Sequence, residues 1–235
     1  MRQIVLDTET TGISWKNGHK IIEIGCVELI DRRMTGNDYH VYINPQRAVD
    51  PGAFAVHGLG ESFLQDKPVF SQIVDEFLEY AKDSELLIHN ASFDIGFLDY
   101  ELKCWNGKIK KMKAICDVFD TLALAREQHP GVRNSLDALC KRYHVDNSNR
   151  NLHGALLDAH LLTQVYLGMT GGQGSLFSSD EKDGATHTAS KPVNASLEKQ
   201  WDILTIAPRP DELQAHQDYL KQMSTSGECV WDEKS

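Results

Sequence analysis

The sequence has no CxxC pair, and its five cysteines (Cys26, Cys104, Cys116, Cys140 and Cys229) are odd in number and far apart. That spacing excludes a disulfide framework and a cysteine-built zinc site, and it points to a reducing, cytoplasmic setting. Long hydrophobic runs are missing too. No stretch approaches the ~20 apolar residues of a membrane-spanning helix, and Met1-Arg2-Gln3-Ile4-Val5 reads as the start of a strand, not as a signal peptide. Positive charge is scarce: 24 Lys+Arg stand against 34 Asp+Glu, for a formal net charge of −10. This excludes a protein that coats nucleic acid by bulk electrostatics. An enzyme that meets nucleic acid locally stays open, because clustered carboxylates suit bound cations.

What is present is ordinary globular composition. The 235 residues, 41% of them hydrophobic, suffice for one well-cored α/β domain plus something smaller. Ile4-Val5-Leu6 and Leu86-Leu87-Ile88 read as buried central strands. The pattern predicts strands at about 2–7, 20–30, 38–43, 85–89 and 114–117. Helices are expected at about 70–82, 93–103, 118–127, 134–143 and 155–168. Three successive strands followed by alternating helices and strands give a mixed central sheet flanked by helices. Near residue 170 the texture changes to Gly, Ser and charge, so 1–170 reads as the main domain and 171–195 as a flexible linker. Order is expected to resume in 196–235, where Pro210 opens a helix with Leu213, Leu220 and Met223 as an apolar stripe.

Three constellations carry chemistry. In Asp7-Thr8-Glu9-Thr10-Thr11-Gly12, residues two apart on a strand share a face, so Asp7 and Glu9 point the same way and repel unless a cation or proton intervenes. A bare D-x-E also suits a polar turn; the following Thr-Thr-Gly narrows the match. In His89-Asn90-Ala91-Ser92-Phe93-Asp94 a strand ends, Ser92 is the expected N-cap, and Asp94 falls in the first helical turn. In His153-Gly154-Ala155-Leu156-Leu157-Asp158, five residues turn through about 500° on a helix. His153 therefore belongs to the loop before the helix, with Asp158 one turn inside. Around Asp158 the helical neighbours Ala155, Leu161 and Leu162 are apolar, so its carboxylate needs a partner, for which a metal ion is the expectation. His160 and Asn151 read as solvated or capping residues. Lys103, Lys108, Lys110, Lys111 and Lys113 form a basic run that suits either a phosphate backbone or a solvated loop.

Taken in order, these pieces resemble the three exonuclease motifs of the DEDD superfamily, in the branch that places a histidine five residues before the last aspartate. Val56-His57-Gly58, Arg133–Cys140 and Leu152–Ala159 extend the likeness to the proofreading (epsilon) subunits of bacterial DNA polymerase III, over nearly the whole chain. The resemblance implies an RNase H-like fold, two divalent ions (Mg²⁺ or Mn²⁺) and 3′→5′ removal of mispaired nucleotides. Asp7, Glu9, Asp94 and Asp158 are the implied metal ligands, with Asp7 bridging, Glu9 and Asp158 on the ion that holds the attacking water, and Asp94 on the other. His153 is the implied general base. Val56, His57, Asn90 and Phe93, beside Asp7, Glu9 and Asp158, are the implied contacts to the 3′ end; for Val56 and Phe93, core packing is the alternative. Relatives often carry an acidic residue where this chain has Gly52, so that side chain supplies no substrate contact.

The tail reads as a set of sockets. Gln173-Gly174-Ser175-Leu176-Phe177 resembles the bacterial sliding-clamp-binding motif, with Gln173, Leu176 and Phe177 as its anchors. Trp201, Leu213, Tyr219, Leu220 and Trp231 give 196–235 more apolar anchors than a solvated tail needs, and the resemblance implies docking on the catalytic (alpha) polymerase subunit. A small theta-like accessory subunit on the exonuclease domain is a further partner it implies. Two other readings stay open at this point: a free-standing RNA or oligonucleotide exonuclease, and a non-catalytic replisome adaptor.

Overall fold

β1 (Arg2–Thr10) is buried along both faces, which is why its apolar run is continuous instead of alternating. Ile4 and Leu6 enter one core and Val5, between them, enters a second on the opposite face. The structure, a computed structural model, describes residues 1–105, 107–150, 152–171 and 209–226. It falls into two compact units, Met1–Ser178 and Ser179–Ser235.

In the first unit β1 pairs antiparallel with β2 (Ile21–Ile30) and parallel with β5 (Glu85–Ile88). Beyond β2 lie β3 (Arg33–Met34) and β4 (Tyr39–Tyr42), and beyond β5 lies β6 (Asp117–Asp120), giving a six-stranded sheet, mixed as the element order implied but with one strand more than the five expected. Two short helices, α1 (Pro51–His57) and α2 (Glu61–Leu64), precede α3 (Phe70–Ala81), and α4 (Ala91–Trp105) follows β5. Phe77 of α3 and Phe97, Leu98 and Leu102 of α4 fill the core on one face. After β6 come α5 (Thr121–Gln128), α6 (Leu136–Arg142) and α7 (Ala155–Thr170). Ala159, Leu162 and Tyr166 of α7 close the opposite face.

Several local expectations move. The strand read at about 114–117 is β6 at Asp117–Asp120, and Met112–Ala114 is a single 3-10 turn with Met112 buried. Ile115 and Cys116 are apolar but lie outside the strand, because the pairing with β5 begins at Glu85 and Asp117. The next helix accordingly starts at Thr121, not at about 118, with Asp120 accepting from the backbone N–H groups of Leu122 and Ala123. Ser92 is not an N-cap: α4 starts at Ala91, and Ser92 donates to the Asn90 side chain at 3.3 Å. Neither α1 nor α2 has a hydrophobic stripe to reveal it. Only His57 in α1 and Leu64 in α2 are buried. β3 escaped because Asp31 and Arg32, both at positive φ, form a tight hairpin without the usual Gly or Asn-Gly.

The second unit contributes α8 (Pro210–Ser226), the helix expected from Pro210. Its first turn is closed by Arg209, whose N–H donates to the Glu212 carboxylate at 2.9 Å. Leu213 and Tyr219 are exposed on it. No helix among the described residues is long and apolar enough to cross a membrane.

Candidate active site

Asp7 and Glu9 lie near the C-terminal end of β1, opposite Gly25 and Glu23 of β2, and the register slips just after Glu9. The Thr-Thr-Gly that follows is a lock for this strand end. Thr10 donates to the Gly12 carbonyl at 2.8 Å, and Thr11 Oγ1 sits 3.0 Å from His19 Nδ1 while accepting from the Lys20 N–H. A Cβ on Gly12 would stand 2.4 Å from the His19 ring, so only glycine permits this packing. Gly25 does the same for α7. A Cβ there would lie 2.1 Å from the Leu156 nitrogen, and its absence lets the start of α7 rest on the sheet opposite Asp7. That approach delivers Asp158, in the first turn of α7, to the carboxylates of β1. Asp94 arrives from the first turn of α4 and accepts a 2.7 Å hydrogen bond from Thr8.

His153 stays outside α7, as the turn geometry required, and its N–H donates to the Val56 carbonyl at 3.1 Å. Its Nδ1 is 3.4 Å from Asp158 Oδ2. One oxygen each of Glu9 and Asp158 and one ring nitrogen of His153 lie within 4.8 Å of one another, a donor set suited to a hard divalent ion. Asp158 already has a partner, however. Arg150 donates from Nε to Oδ1 at 2.5 Å and from Nη2 to Oδ2 at 2.6 Å, a protein partner for this carboxylate beside the expected metal. The third guanidinium nitrogen, Nη1, reaches Asp137 at 2.6 Å.

The electrostatics are those of a crowded anionic pocket. Burial and then the charges of Asp94, Glu9 and Asp158 hold the Asp7 carboxyl well above the usual carboxylate range. Burial, with Asp158 and Glu23 behind it, pushes Glu9 from 4.5 to about 8. Burial likewise lifts Asp94 from 3.8 to about 7, against the hydrogen bond from Thr8. His153 moves the other way: burial and the Arg150 charge lower it below 6.5, outweighing Asp158 and Asp137.

Residues 4–166 match the exonuclease family. Over its whole length the chain is 52% identical to DNA polymerase III subunit epsilon of Salmonella typhimurium, across 98% of this chain and 97% of that protein. The same subunit of Pasteurella multocida is 51% identical across 99% and 94%, and that of Escherichia coli K12 is 48% identical across 98% and 97%. The chain belongs to the DNA polymerase III epsilon family. Its sheet and helices superpose on exonuclease X in complex with 5′-overhanging duplex DNA, with a TM-score of 0.58 and 26% identity, across 73% of this chain and 93% of that one. A 3′-exonuclease that recognises a histone mRNA stem-loop shares the fold alone, at a TM-score of 0.59 and 16% identity, across 72% and 64%. The chain is thus an epsilon-type exonuclease, with the fold its motifs implied.

In this epsilon-family site the remaining expected residues divide. Val56 is exposed beside His153, and Asn90, at φ 70°, is exposed at the turn into α4. Phe93 is half-buried against Phe97, with ring centroids 5.0 Å apart, so packing is part of its work. His57 is buried; its Nδ1 accepts from the Leu59 N–H at 3.0 Å, which places the ring proton on Nε2, turned toward the Thr10 carbonyl without a hydrogen bond of good geometry. Gly52 is exposed on α1, with nothing near a would-be Cβ. The basic run does not form one patch. Lys103, Lys110 and Lys111 line a groove with Trp15, Lys16 and Tyr100, while Lys108 and Lys113 line separate surfaces. His160 pairs with Asp38 at 3.1 Å. Gln173, Leu176, Phe177 and Asn151 lie outside the described residues. Sequence reasoning missed Arg150, Asp137, Thr8 and Glu23. For Arg150 a signal existed: a lone cation three residues before His153, in a chain whose motifs gather carboxylates.

The raised carboxyls set a pH dependence. Each binds its proton more tightly folded than unfolded, so between those two values the native state carries more protons and stability falls as pH rises. Without metal the melting temperature should therefore decline from about pH 4.5 to about pH 8, the span of Glu9, with Asp94 acting up to about 7. Mn²⁺ prefers the deprotonated forms, so its stabilisation should grow over the same span. Melts at fixed ionic strength check both; a metal-free melting temperature that rises across this window would contradict the assignment.

Proposed function

We propose that this exonuclease removes mispaired nucleotides from the 3′ ends of DNA primers, by metal-dependent hydrolysis of the terminal phosphodiester, within a replicative polymerase complex. The observation that carries the reading is the meeting of Asp7, Glu9, Asp94 and Asp158 at one end of the sheet, with Arg150, among the described residues, to offset their charge. Such oxygen donors suit Mg²⁺ or Mn²⁺: Glu9 and Asp158 would hold one ion and Asp94 a second, with Asp7 as a ligand to them. Two bound ions would offset the carboxylates and stabilise both the attacking and the leaving oxygen.

The chain's own residues do the rest. His153, its value lowered, is neutral at pH 7 and 44% exposed, so it can take the proton of an attacking water. Its backbone bond to Val56 ties that base to α1, whose last residue is His57. The buried His57 Nε2–H is turned toward the Thr10 carbonyl without a hydrogen bond of good geometry, so a ligand oxygen would be the better acceptor, and the terminal nucleotide would supply one. Val56, Asn90 and Phe93 border the same 3′ end. Full-length likeness to epsilon subunits disfavours the free-standing RNA exonuclease and the non-catalytic adaptor.

A mispaired primer, a matched primer and a short RNA, each with and without Mn²⁺, test this. The mispaired primer should be shortened fastest, because its terminus has already lost much of the few kcal/mol that unpairing costs. Equal rates on both primers would remove proofreading from the reading.

The polymerase complex enters through the tail. The alpha subunit is assigned to 196–235, the sliding clamp to 173–177, and a theta-like subunit to the exonuclease domain. The exposed Leu213 and Tyr219 of α8 support an apolar dock. A flexible connection over 171–195 would hold two weak contacts at about mM effective concentration. Deleting 196–235 should abolish polymerase association and spare hydrolysis of free primers, whereas Leu176→Ala with Phe177→Ala should weaken only a clamp pull-down. If residues 1–170 co-purify with the polymerase as well as the full chain does, the tether lies elsewhere.

A further inference from the structure

The Arg150 side chain is only 7% exposed, and its fork covers both oxygens of Asp158. The same Nη2 that is 2.6 Å from Asp158 Oδ2 is also 3.0 Å from His153 Nδ1. A cationic nitrogen thus sits between two members of the donor set formed by Glu9, His153 and Asp158. A bidentate guanidinium uses the carboxylate lone pairs that face it, and an ion on that edge would meet both occupied lone pairs and a like charge. Arg150 has a second anchor. Nη1 stays on Asp137, which is 55% exposed and accepts from Asn147 as well. Among the described residues between Arg142, where α6 ends, and Ala155, where α7 begins, none lies in a helix or strand, so the segment that carries Arg150 has no such restraint.

We propose that Arg150 is a resident counter-cation of the unloaded site, which competes with metal for Asp158 and, pivoting on Asp137, turns its fork to the substrate phosphate once the site is loaded. The inference rests on the metal-site reading above. In the unloaded enzyme the guanidinium keeps Asp158 and His153 in their working places and relieves part of the repulsion from Asp7 and Glu9. As Asp158 is given over to metal, the freed fork needs an anion. A phosphodiester offers paired oxygens that a planar guanidinium matches and a lysine does not. Arg150 would then contact substrate directly, and substrate would favour metal loading by taking up the displaced cation.

The test compares full-length wild type with Arg150→Gln and Arg150→Lys, using Mn²⁺ alone as the first probe. Without metal, Arg150→Gln should melt at a lower temperature than wild type. Its half-maximal Mn²⁺ for thermal stabilisation should nevertheless fall, by ~5-fold or more, because the competitor is gone. At saturating Mn²⁺ its KM for a mispaired primer should rise by about tenfold, with kcat changed less. Arg150→Lys keeps the charge without the fork. It guards against a Gln variant that does not fold, and should show the same two shifts at smaller size. An unchanged or higher Mn²⁺ requirement in both variants overturns the competition, and an unchanged KM overturns the contact with phosphate. A wild type that gains no stability from Mn²⁺ overturns the metal site itself, and this inference with it.

Discussion

Asp7→Asn and Asp158→Asn should abolish hydrolysis alike, yet only Asp158→Asn should lower the metal-free melting temperature. Each removes a group assigned to several kcal/mol of transition-state charge stabilisation, so both should lose at least ~10³-fold in rate. In the metal-free protein the two differ by their neighbours. Asp7 is held among Asp94, Glu9 and Asp158, and its carboxyl is driven up by burial and by those charges. A neutral amide there relieves repulsion, so Asp7→Asn should melt no lower than wild type. Asp158 is fixed by the Arg150 fork. Neutralising it strands a buried guanidinium, and removing one partner of a buried pair costs about 3–5 kcal/mol. Because Asp137 still holds Nη1, the lower end of that range applies, enough to lower the melting temperature by several degrees. Calorimetry with and without Mn²⁺ reads both effects. Normal hydrolysis by either variant would sink the proposed site.

His153→Ala should lose about 10²–10⁴-fold in kcat, the range of a general base, while keeping its stabilisation by Mn²⁺. The sign of the pH effect follows from the lowered His153 value. A base works only when unprotonated, so at saturating metal the wild-type rate should climb with pH on the acid side of the ordinary histidine value and be flat at neutral pH, and the variant should lack that limb. The geometry also allows the other assignment, since the His153 ring nitrogen lies within 4.8 Å of the Glu9 and Asp158 oxygens. Loss of Mn²⁺-dependent stabilisation in His153→Ala would make this histidine a metal ligand and remove it as the base.

How much of this was legible in the chain depends on distance along it. Asp7 and Glu9 could be placed on one strand end, and Asp158 one turn inside a helix with His153 before it, because strand and helix periods act over a few residues. The buried runs of β1 and β5 showed themselves for the same reason. α1 did not, since its seven residues bury only His57 and offer no periodic stripe. β6 was displaced by a few residues because Ile115 and Cys116 look like a strand until the pairing with β5 is known.

By itself, then, the sequence determined the order of the longer strands and helices and which carboxylates and which histidine could do chemistry, and its motifs carried the resemblance to the family. These follow from side-chain type and short spacing. Only the tertiary structure decided that α7 closes onto the sheet at Gly25, that Thr8 fastens Asp94, and that the Val56 carbonyl holds His153. It alone decided that Asp158 is met by Arg150 and that Arg150 is braced by Asp137. The physical reason is that a buried charge takes its partner from whatever the packing of separate elements brings within about 3 Å. Nothing local in the loop before α7 says which of the chain's carboxylates its arginine will reach.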